Sequence, residues 1–320
     1  MPTWSGPFPA IYKNEASLGP HCLILEQLVR KKYIFGEYVR TELDPDAQDQ
    51  VGLAKKAYPD HDWGTLAVWT WGGMRVVDYL LTLDSVDRKR IAFTGHSRGG
   101  KTALLAAALD ESIAVVIPNG SGAGGAGSYR VQGKNAESLD AITDPKRFSY
   151  WFHPRLRTFV GQENRLPFDQ HFLAALVAPR ALLATEASGD LWANPSGTQQ
   201  IYLATKEVYR FLEAGSKIGL HVREGEHNQS VEDCRLCWIL SSCSSLVASD
   251  RAVAGWIDCL FRRPRELSAG ALHPLPMLLK IQEKKNVRAV EDGRVRAEIW
   301  WTEFFKMVAT RRIQIPLRKV

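Results

Sequence analysis

Short apolar runs alternate with longer segments of helical spacing along the first two thirds of the chain. The runs predicted as strands cover residues 33–39, 91–94, 113–118, 181–185 and 218–223. They have the length and the apolar, β-branched character of buried strands. Strands that alternate with helices are typical of a mainly parallel sheet covered by helices. The predicted fold class is therefore α/β.

Segments with apolar residues at three- and four-residue steps separate these strands. The segments predicted as helices cover residues 22–32, 62–81, 101–109 and 198–212. In the second of them, Leu66, Trp69, Val76 and Leu80 fall on one face. A stretch rich in glycine and serine over residues 120–133 is predicted as a loop.

The periodic pattern fades from Cys234 onward and gives no sustained helix or strand period before residues 294–310. We therefore expect a folded domain over residues 1–232 and a basic, poorly patterned C-terminal extension over residues 233–320. The extension holds 16 Lys and Arg against 9 Asp and Glu, a net charge of +7, which leaves −1 for residues 1–232. Because the main domain has no basic excess, nucleic acid is not an expected partner.

Apolar length and cysteine spacing argue against a membrane span and against a metal centre. No stretch approaches the ~18 continuous apolar residues that cross a bilayer, and no signal peptide is visible in the chain as written. Cys234 and Cys237 have the Cys-x2-Cys spacing of half a zinc site. Since no second pair or nearby histidine completes such a site, we expect thiols, no metal and no organic cofactor.

The most informative motif is Gly-His-Ser-Arg-Gly at residues 95–99, between a predicted strand and a predicted helix. G-x-S-x-G in this context is typical of the nucleophile elbow of α/β-hydrolases, a crowded turn that requires the two glycines and projects the serine. Ser97 is thus the predicted nucleophile. A serine hydroxyl is weakly nucleophilic at neutral pH, so Ser97 needs a general base.

In this fold class the acid and the base follow the nucleophile along the chain, each after a strand. His227 comes directly after the last predicted strand and is the expected base. Asp190 follows the preceding strand and is the expected acid, which would hold the imidazole in its tautomer and stabilise its charged form. Glu186, in the same loop, is the alternative acid.

Other polar residues near the motif have less specific signals. His171 precedes a predicted helix and is expected to be structural or to line the substrate site, and His96 is expected to pack away from it. The backbone N–H of Arg98 is an expected oxyanion donor. Lys101 falls one helical turn after Ser97 and is either a surface lysine or a substrate contact. Trp192 is either a core residue or a stacking platform for a sugar.

Five stretches of the chain together resemble the glucuronoyl esterases of carbohydrate esterase family 15. The similarity covers about residues 30–232, and its elbow, Ser-Arg-x-Gly-Lys, is more specific than G-x-S-x-G alone. The matching stretches are residues 95–101, 118–125, 166–171 with 178–180, 190–195 and 225–227.

The resemblance implies an α/β-hydrolase that cleaves esters of 4-O-methyl-glucuronic acid between xylan and lignin. It also implies one role for each matched position. These roles are Ser97 as nucleophile, His227 as base, Arg98 at the oxyanion, Lys101 on the uronate hydroxyls, Trp192 lining the sugar site and Glu137 contacting the sugar.

The chain departs from the family in three places. Many members carry the catalytic acid as glutamate at the position of Gly120, which leaves Asp190 for that role. The segment before Cys22 is short, so we expect the first strands, including one beside the elbow strand, to be missing. After Asp233 the family ends in a short helix, whereas this sequence becomes unpatterned and basic.

The reading favoured by these residues is a serine carboxylester hydrolase that acts through an acyl-enzyme on a glucuronoxylan-type ester. An acetyl-xylan or other carbohydrate esterase is an alternative, as is an inactive, truncated relative. The resemblance implies a secreted or periplasmic protein if the N-terminus is truncated.

Overall fold

The computed structural model describes residues 6–16 and 24–243. Within them, six parallel strands form one sheet in the order β2-β1-β3-β4-β5-β6. The strands are β1 (Phe8–Glu15), β2 (Ile34–Val39), β3 (Val86–His96), β4 (Val115–Asn119), β5 (Ala181–Ala187) and β6 (Ile218–Arg223). The predicted α/β class and its mainly parallel sheet are confirmed.

Helices cover both faces of this sheet. They are α1 (Leu25–Arg30), α2 (Arg40–Leu43), α3 (Leu53–Ala57), α4 (Thr65–Thr82), α5 (Arg98–Leu109), α6 (Leu139–Thr143), α7 (Gln170–Ala175), α8 (Pro195–Phe211) and α9 (Val231–Cys243). Short 3-10 helices lie at Ser149–Trp151, Pro154–Phe159, Glu163–Arg165 and Gly215–Lys217. All four predicted helices are present, with ends that differ by a few residues.

Alternate residues of each strand supply two separate cores. Phe93 and Val116 face the core formed with α4, α5, α7 and α8. Their neighbours Ala92, Val115 and Ile117 face the core formed with α1 and α9. Strands covered on both faces read as continuous apolar runs, which is why the central strands were recognisable in the sequence.

The expectation that a strand beside the elbow strand is missing is wrong. Strand β1 pairs with β3 in parallel, with Tyr12 opposite Phe93, and the rings of these two residues stack at 4.1 Å. The apolar part of β1 is short and ends in Lys13, Asn14 and Glu15, so it lacks the length of a typical strand signal.

The expectation that no helix follows Cys234 directly is also wrong, because α9 continues to Cys243. Cys234, Leu236 and Cys237 are buried on the side of α9 that faces the sheet. Residues 244–320, which hold most of the expected extension, lie outside the described residues. The domain division at residue 232 stays a prediction.

No helix in the described part of the chain is long and apolar enough to span a bilayer.

Near the end of strand β5 lies a carboxyl group, Glu186, that forms no ion pair with any of the described residues. Glu186 is fully buried, and its Oε1 accepts a hydrogen bond from Thr198 of α8 at 2.9 Å. Burial raises the pKa of Glu186 to about 8, and the negative charge of Asp190 adds to this against the opposing effects of Thr198 and Lys101. Glu186 is therefore protonated in the native state at neutral pH.

We expect this proton to make stability depend on pH. The unfolded chain releases it near the ordinary glutamate pKa of 4.5 and the native state only near 8, so the native state loses stability as pH rises through that window. Glu186→Gln removes the titration. The stability of the variant relative to wild type should rise by about 1–3 kcal/mol between pH 5 and pH 8, measured by urea unfolding.

Glu207→Gln is the control, because Glu207 lies on α8, the helix of Thr198, and is partly exposed in a surface ion pair with Arg210. Its stability difference from wild type should stay nearly constant over the same range. Parallel pH profiles for wild type and Glu186→Gln would show that Glu186 is ionised in the native state.

Candidate active site

The nucleophile elbow has the strained geometry that its sequence predicts. Ser97 has φ 55° and ψ −122°, and its N–H donates to Asn119 O on β4 at 2.8 Å. A Cβ on Gly95 would lie 2.3 Å from Gly99 O, and one on Gly99 would lie 2.8 Å from Asn14 Oδ1. Only glycine fits at either position, so the turn projects Ser97 at the carboxyl edge of the sheet.

His227 and Asp190 meet at the carboxyl edge of the neighbouring strands. His227 Nδ1 lies 2.5 Å from Asp190 Oδ2, and Asp190 is almost fully buried. Because Nδ1 faces the carboxylate, Nε2 is the ring nitrogen that can take up a proton. Glu186, the alternative acid, has its described hydrogen bond to Thr198 instead.

Ser97 Oγ and His227 are not joined by a hydrogen bond among the described residues. The two are nevertheless neighbours, because the ring of His96, next to Ser97, lies 4.4 Å from the ring of His227. Catalytic hydrogen bonds are often long without substrate and tighten when it binds.

The expectation that His96 packs away from the site is wrong. His96 Nδ1 lies 2.6 Å from Asn119 Oδ1, and Asn119 Nδ2 donates to Thr185 Oγ1 at 2.8 Å. This chain of bonds makes Nδ1 the protonated nitrogen of His96. Burial, with the nearby His227, lowers the pKa of His96 to about 4. His227 therefore has a neutral ring beside it at neutral pH.

Gly120 borders the His227–Asp190 pair. It has φ +49°, and a Cβ there would lie 3.3 Å from Asp190 Oδ2 and 3.4 Å from His96 Cε1. A side chain at residue 120 would thus crowd the carboxylate that His227 contacts. The glycine at position 120 therefore leaves room for the carboxylate of Asp190.

Arg98 is held by a carboxylate that sequence reasoning missed. Its guanidinium forms an ion pair with Asp46 and lies 4.8 Å from the ring of Trp151. Asp46 Oδ1 also accepts hydrogen bonds from Tyr150 Oη at 2.8 Å and Trp151 Nε1 at 3.0 Å. Burial alone would raise the pKa of Asp46, but these donors and the Arg98 charge lower it below its ordinary value.

Lys101 is a buried residue and not a surface lysine, with a side chain only 2% exposed. Its Nζ donates to Ser121 O at 2.7 Å, Ala123 O at 2.6 Å and Glu137 Oε2 at 2.6 Å. Burial lowers the pKa of Lys101, and the Glu137 carboxylate opposes this. Each of the three N–H donors of the Lys101 ammonium group therefore has an acceptor.

Glu137 connects Lys101 with Trp192, the residue that could stack against a sugar. The N–H of Glu137 donates to Trp192 O at 2.9 Å. The ring of Trp192 is half-buried, and the guanidinium of Arg147 lies 5.0 Å from its centre. Trp192 is therefore partly exposed and is not a core residue.

His171, which was expected to be structural or to line the substrate site, is buried within α7 with 1% exposure. Its ring packs against Phe172. In the described part of the chain, no group of three or more His, Cys, Asp or Glu side chains is arranged to hold a metal ion.

Comparison with known sequences gives a consistent result. The family described as glucuronyl esterase, fungi, matches residues 1–213. The carbohydrate esterase MZ0003 of an unknown prokaryotic organism is 34% identical over 233 residues, which are 65% of this chain and 53% of that protein. The 4-O-methyl-glucuronoyl methylesterase of Podospora anserina is 38% identical over 168 residues, 48% of this chain and 35% of the relative. This chain thus spans about half or less of the length of these curated relatives.

Solved structures extend the similarity to the fold. The glucuronoyl esterase of carbohydrate esterase family 15 from Caldicellulosiruptor kristjansonii superposes with a TM-score of 0.69 at 31% identity, over 76% of this chain and 69% of that one. A promiscuous esterase of the same family from a marine bacterial metagenome gives 0.67 at 27% identity, over 75% of each chain. With more than half of its sequence matched by the family and its sheet shared with these enzymes, the chain belongs to the glucuronoyl esterase family.

Proposed function

We propose that this protein is a serine carboxylester hydrolase that cleaves 4-O-methyl-glucuronoyl esters between xylan and lignin. The observation that carries the proposal is an elbow serine, Ser97, beside a hydrogen-bonded His227–Asp190 pair. The names of the relatives, 4-O-methyl-glucuronoyl methylesterase and glucuronoyl esterase, support the substrate class.

The reaction proceeds in two halves. His227 Nε2 takes the proton of Ser97 Oγ as the oxygen attacks the ester carbonyl, and then gives it to the departing alcohol. A water molecule, deprotonated by the same nitrogen, attacks the acyl-enzyme, and the proton returns to Ser97 as the uronic acid leaves. Asp190 stabilises the imidazolium that forms in each half.

The oxyanion is stabilised from the elbow. Arg98 is the first residue of α5. Its backbone N–H donates to the carbonyl oxygen of the ester, which becomes negatively charged when Ser97 attacks the carbonyl carbon. In α/β-hydrolases a second N–H comes from the loop after the strand that β1 represents here; residues 17–23 of that loop lie outside the described residues.

The sugar is bound by Lys101, Glu137 and Trp192 acting together. All three donors of Lys101 already have acceptors, so a sugar hydroxyl must replace one of them or bind to Glu137, which the lysine orients. Trp192 adds a partly exposed apolar ring face, on which a sugar can stack. This arrangement suits a neutral substrate with several hydroxyl groups.

The first prediction concerns the nucleophile and the base. Ser97→Ala and His227→Ala should each lower kcat for a glucuronate ester by on the order of 10⁴-fold, and the double variant should lose little more, because the two residues act as a unit. Ser112→Ala, at the opposite edge of the sheet before β4, should leave kcat unchanged. If Ser97→Ala kept more than a tenth of wild-type turnover, the mechanism would be wrong.

The second prediction separates the two carboxyl groups after β5. Asp190→Asn should reduce kcat by about 10⁴-fold, because the amide favours the wrong tautomer of His227. Glu186→Gln replaces a protonated acid with a neutral amide and should stay within a few-fold of wild type. Steady-state kinetics on purified variants decides the question, and the reverse ranking would move the acid to Glu186.

The third prediction tests the substrate class. Lys101→Ala should reduce kcat/KM for benzyl glucuronate by about 10-fold or more, and for an aryl acetate far less, because only the first substrate has hydroxyls for the Lys101–Glu137 pair. Thermal unfolding of the variant checks that the buried substitution leaves the domain folded. Equal losses on both substrates would favour the alternative of a general carbohydrate esterase.

A further inference from the structure

Two cation–carboxylate pairs flank the elbow. Lys101 pairs with Glu137 and Arg98 pairs with Asp46, and both cations face the ring of Trp151, at 5.8 and 4.8 Å. Each cation is thus accompanied by one carboxylate. Within these two pairs, two positive charges are matched by two negative charges.

The Asp46 carboxylate is held more firmly than a carboxylate in an exposed surface ion pair. Its side chain is 17% exposed and that of Arg98 is 32% exposed. Three side chains donate to its carboxylate, and two of them, Tyr150 and Trp151, come from the 3-10 helix Ser149–Trp151, over 100 residues away along the chain. Donors from two segments fix both the position and the charged state of the carboxylate.

The proposed reaction changes the charge of the ligand. The substrate is a neutral ester, and hydrolysis gives an alcohol and a carboxylate, whose proton is released to solvent at neutral pH. An unbalanced guanidinium would bind the carboxylate product more tightly than the neutral ester, and tight product binding slows turnover without helping the chemical step.

We propose that Asp46 is a positioning residue that holds the Arg98 guanidinium against Trp151 and cancels its charge, so that the carboxylate product is released. This inference rests on the proposed function, because it assigns the release step of the same site. The backbone N–H of Arg98 remains available to the oxyanion in the transition state. The negative charge of Asp46 removes the net attraction of Arg98 for the carboxylate product, which stays anionic.

The test is product inhibition of the full chain. In Asp46→Asn, free glucuronate should inhibit about 5-fold more tightly than in wild type at pH 7, since the variant leaves Arg98 unbalanced. Methyl glucoside, which has no charge, should inhibit both proteins equally. The difference should shrink as salt is added, because part of the site is exposed to solvent.

Two further variants separate charge from fold. Asp62→Asn is the matched control, because Asp62 pairs with His153 at the surface and should leave inhibition by glucuronate unchanged. Arg98→Gln with Asp46→Asn removes both charges and should return the affinity for glucuronate, measured by calorimetry, to near the wild-type value. If Asp46→Asn alone does not fold, the double variant is compared with Arg98→Gln, which leaves the Asp46 carboxylate uncompensated and should bind glucuronate more weakly than the double variant does.

The result that overturns the inference is an inhibition constant for glucuronate in Asp46→Asn within twofold of wild type. Failure of the proposed function is a different result, namely a wild-type protein that does not hydrolyse methyl glucuronate. In that case acetate inhibition of aryl acetate hydrolysis gives the same comparison. Tighter inhibition by acetate in Asp46→Asn would support the charge-balancing role, and unchanged inhibition would end it.

Discussion

The site depends on how the elbow is clamped between two strands. Asn119 at the end of β4 accepts the N–H of Ser97, and Asn14 near the end of β1 donates its amide to Gly99 O at 2.9 Å. The strained turn is therefore held from both sides of β3. Backbone strain at a functional turn persists only when its surroundings determine it in this way, and this explains why the short strand β1 matters to the site.

The same edge of the sheet buries several ionisable groups, and most of them have a local partner. Asp190 is paired with His227, Asp46 with Arg98 and Glu137 with Lys101. Glu186 has no such partner in the described part of the chain and holds a proton instead. Burying an uncompensated charge is very costly, so partner choice and protonation together set which carboxylates are anions. This rule explains why Glu186 keeps its proton, whereas Asp190 contacts His227.

The sequence was sufficient for the central strands, the elbow and the Asp190–His227 contact, because these depend on local periodicity and on strand order. It was not sufficient for features created by distant contacts. Asp46 lies in the polar loop after α2 and contacts Tyr150 and Trp151, which are distant along the chain. His96 was misplaced because the direction of a side chain on a strained turn depends on its neighbours, here Asn119 and His227.

The loop that carries His227 shows why α9 belongs to the site. Asp233, on the first turn of α9, is fully buried and accepts a hydrogen bond from Arg223 Nε, at the end of β6, at 2.8 Å. It also accepts the Ser230 N–H at 2.8 Å, and Arg223 Nη2 donates to Asn228 O at 2.6 Å. Both ends of the His227 loop are thereby tied to one carboxylate. Since the apolar face of α9 anchors Asp233 against the sheet, the helix that the sequence pattern did not predict positions the loop that carries His227.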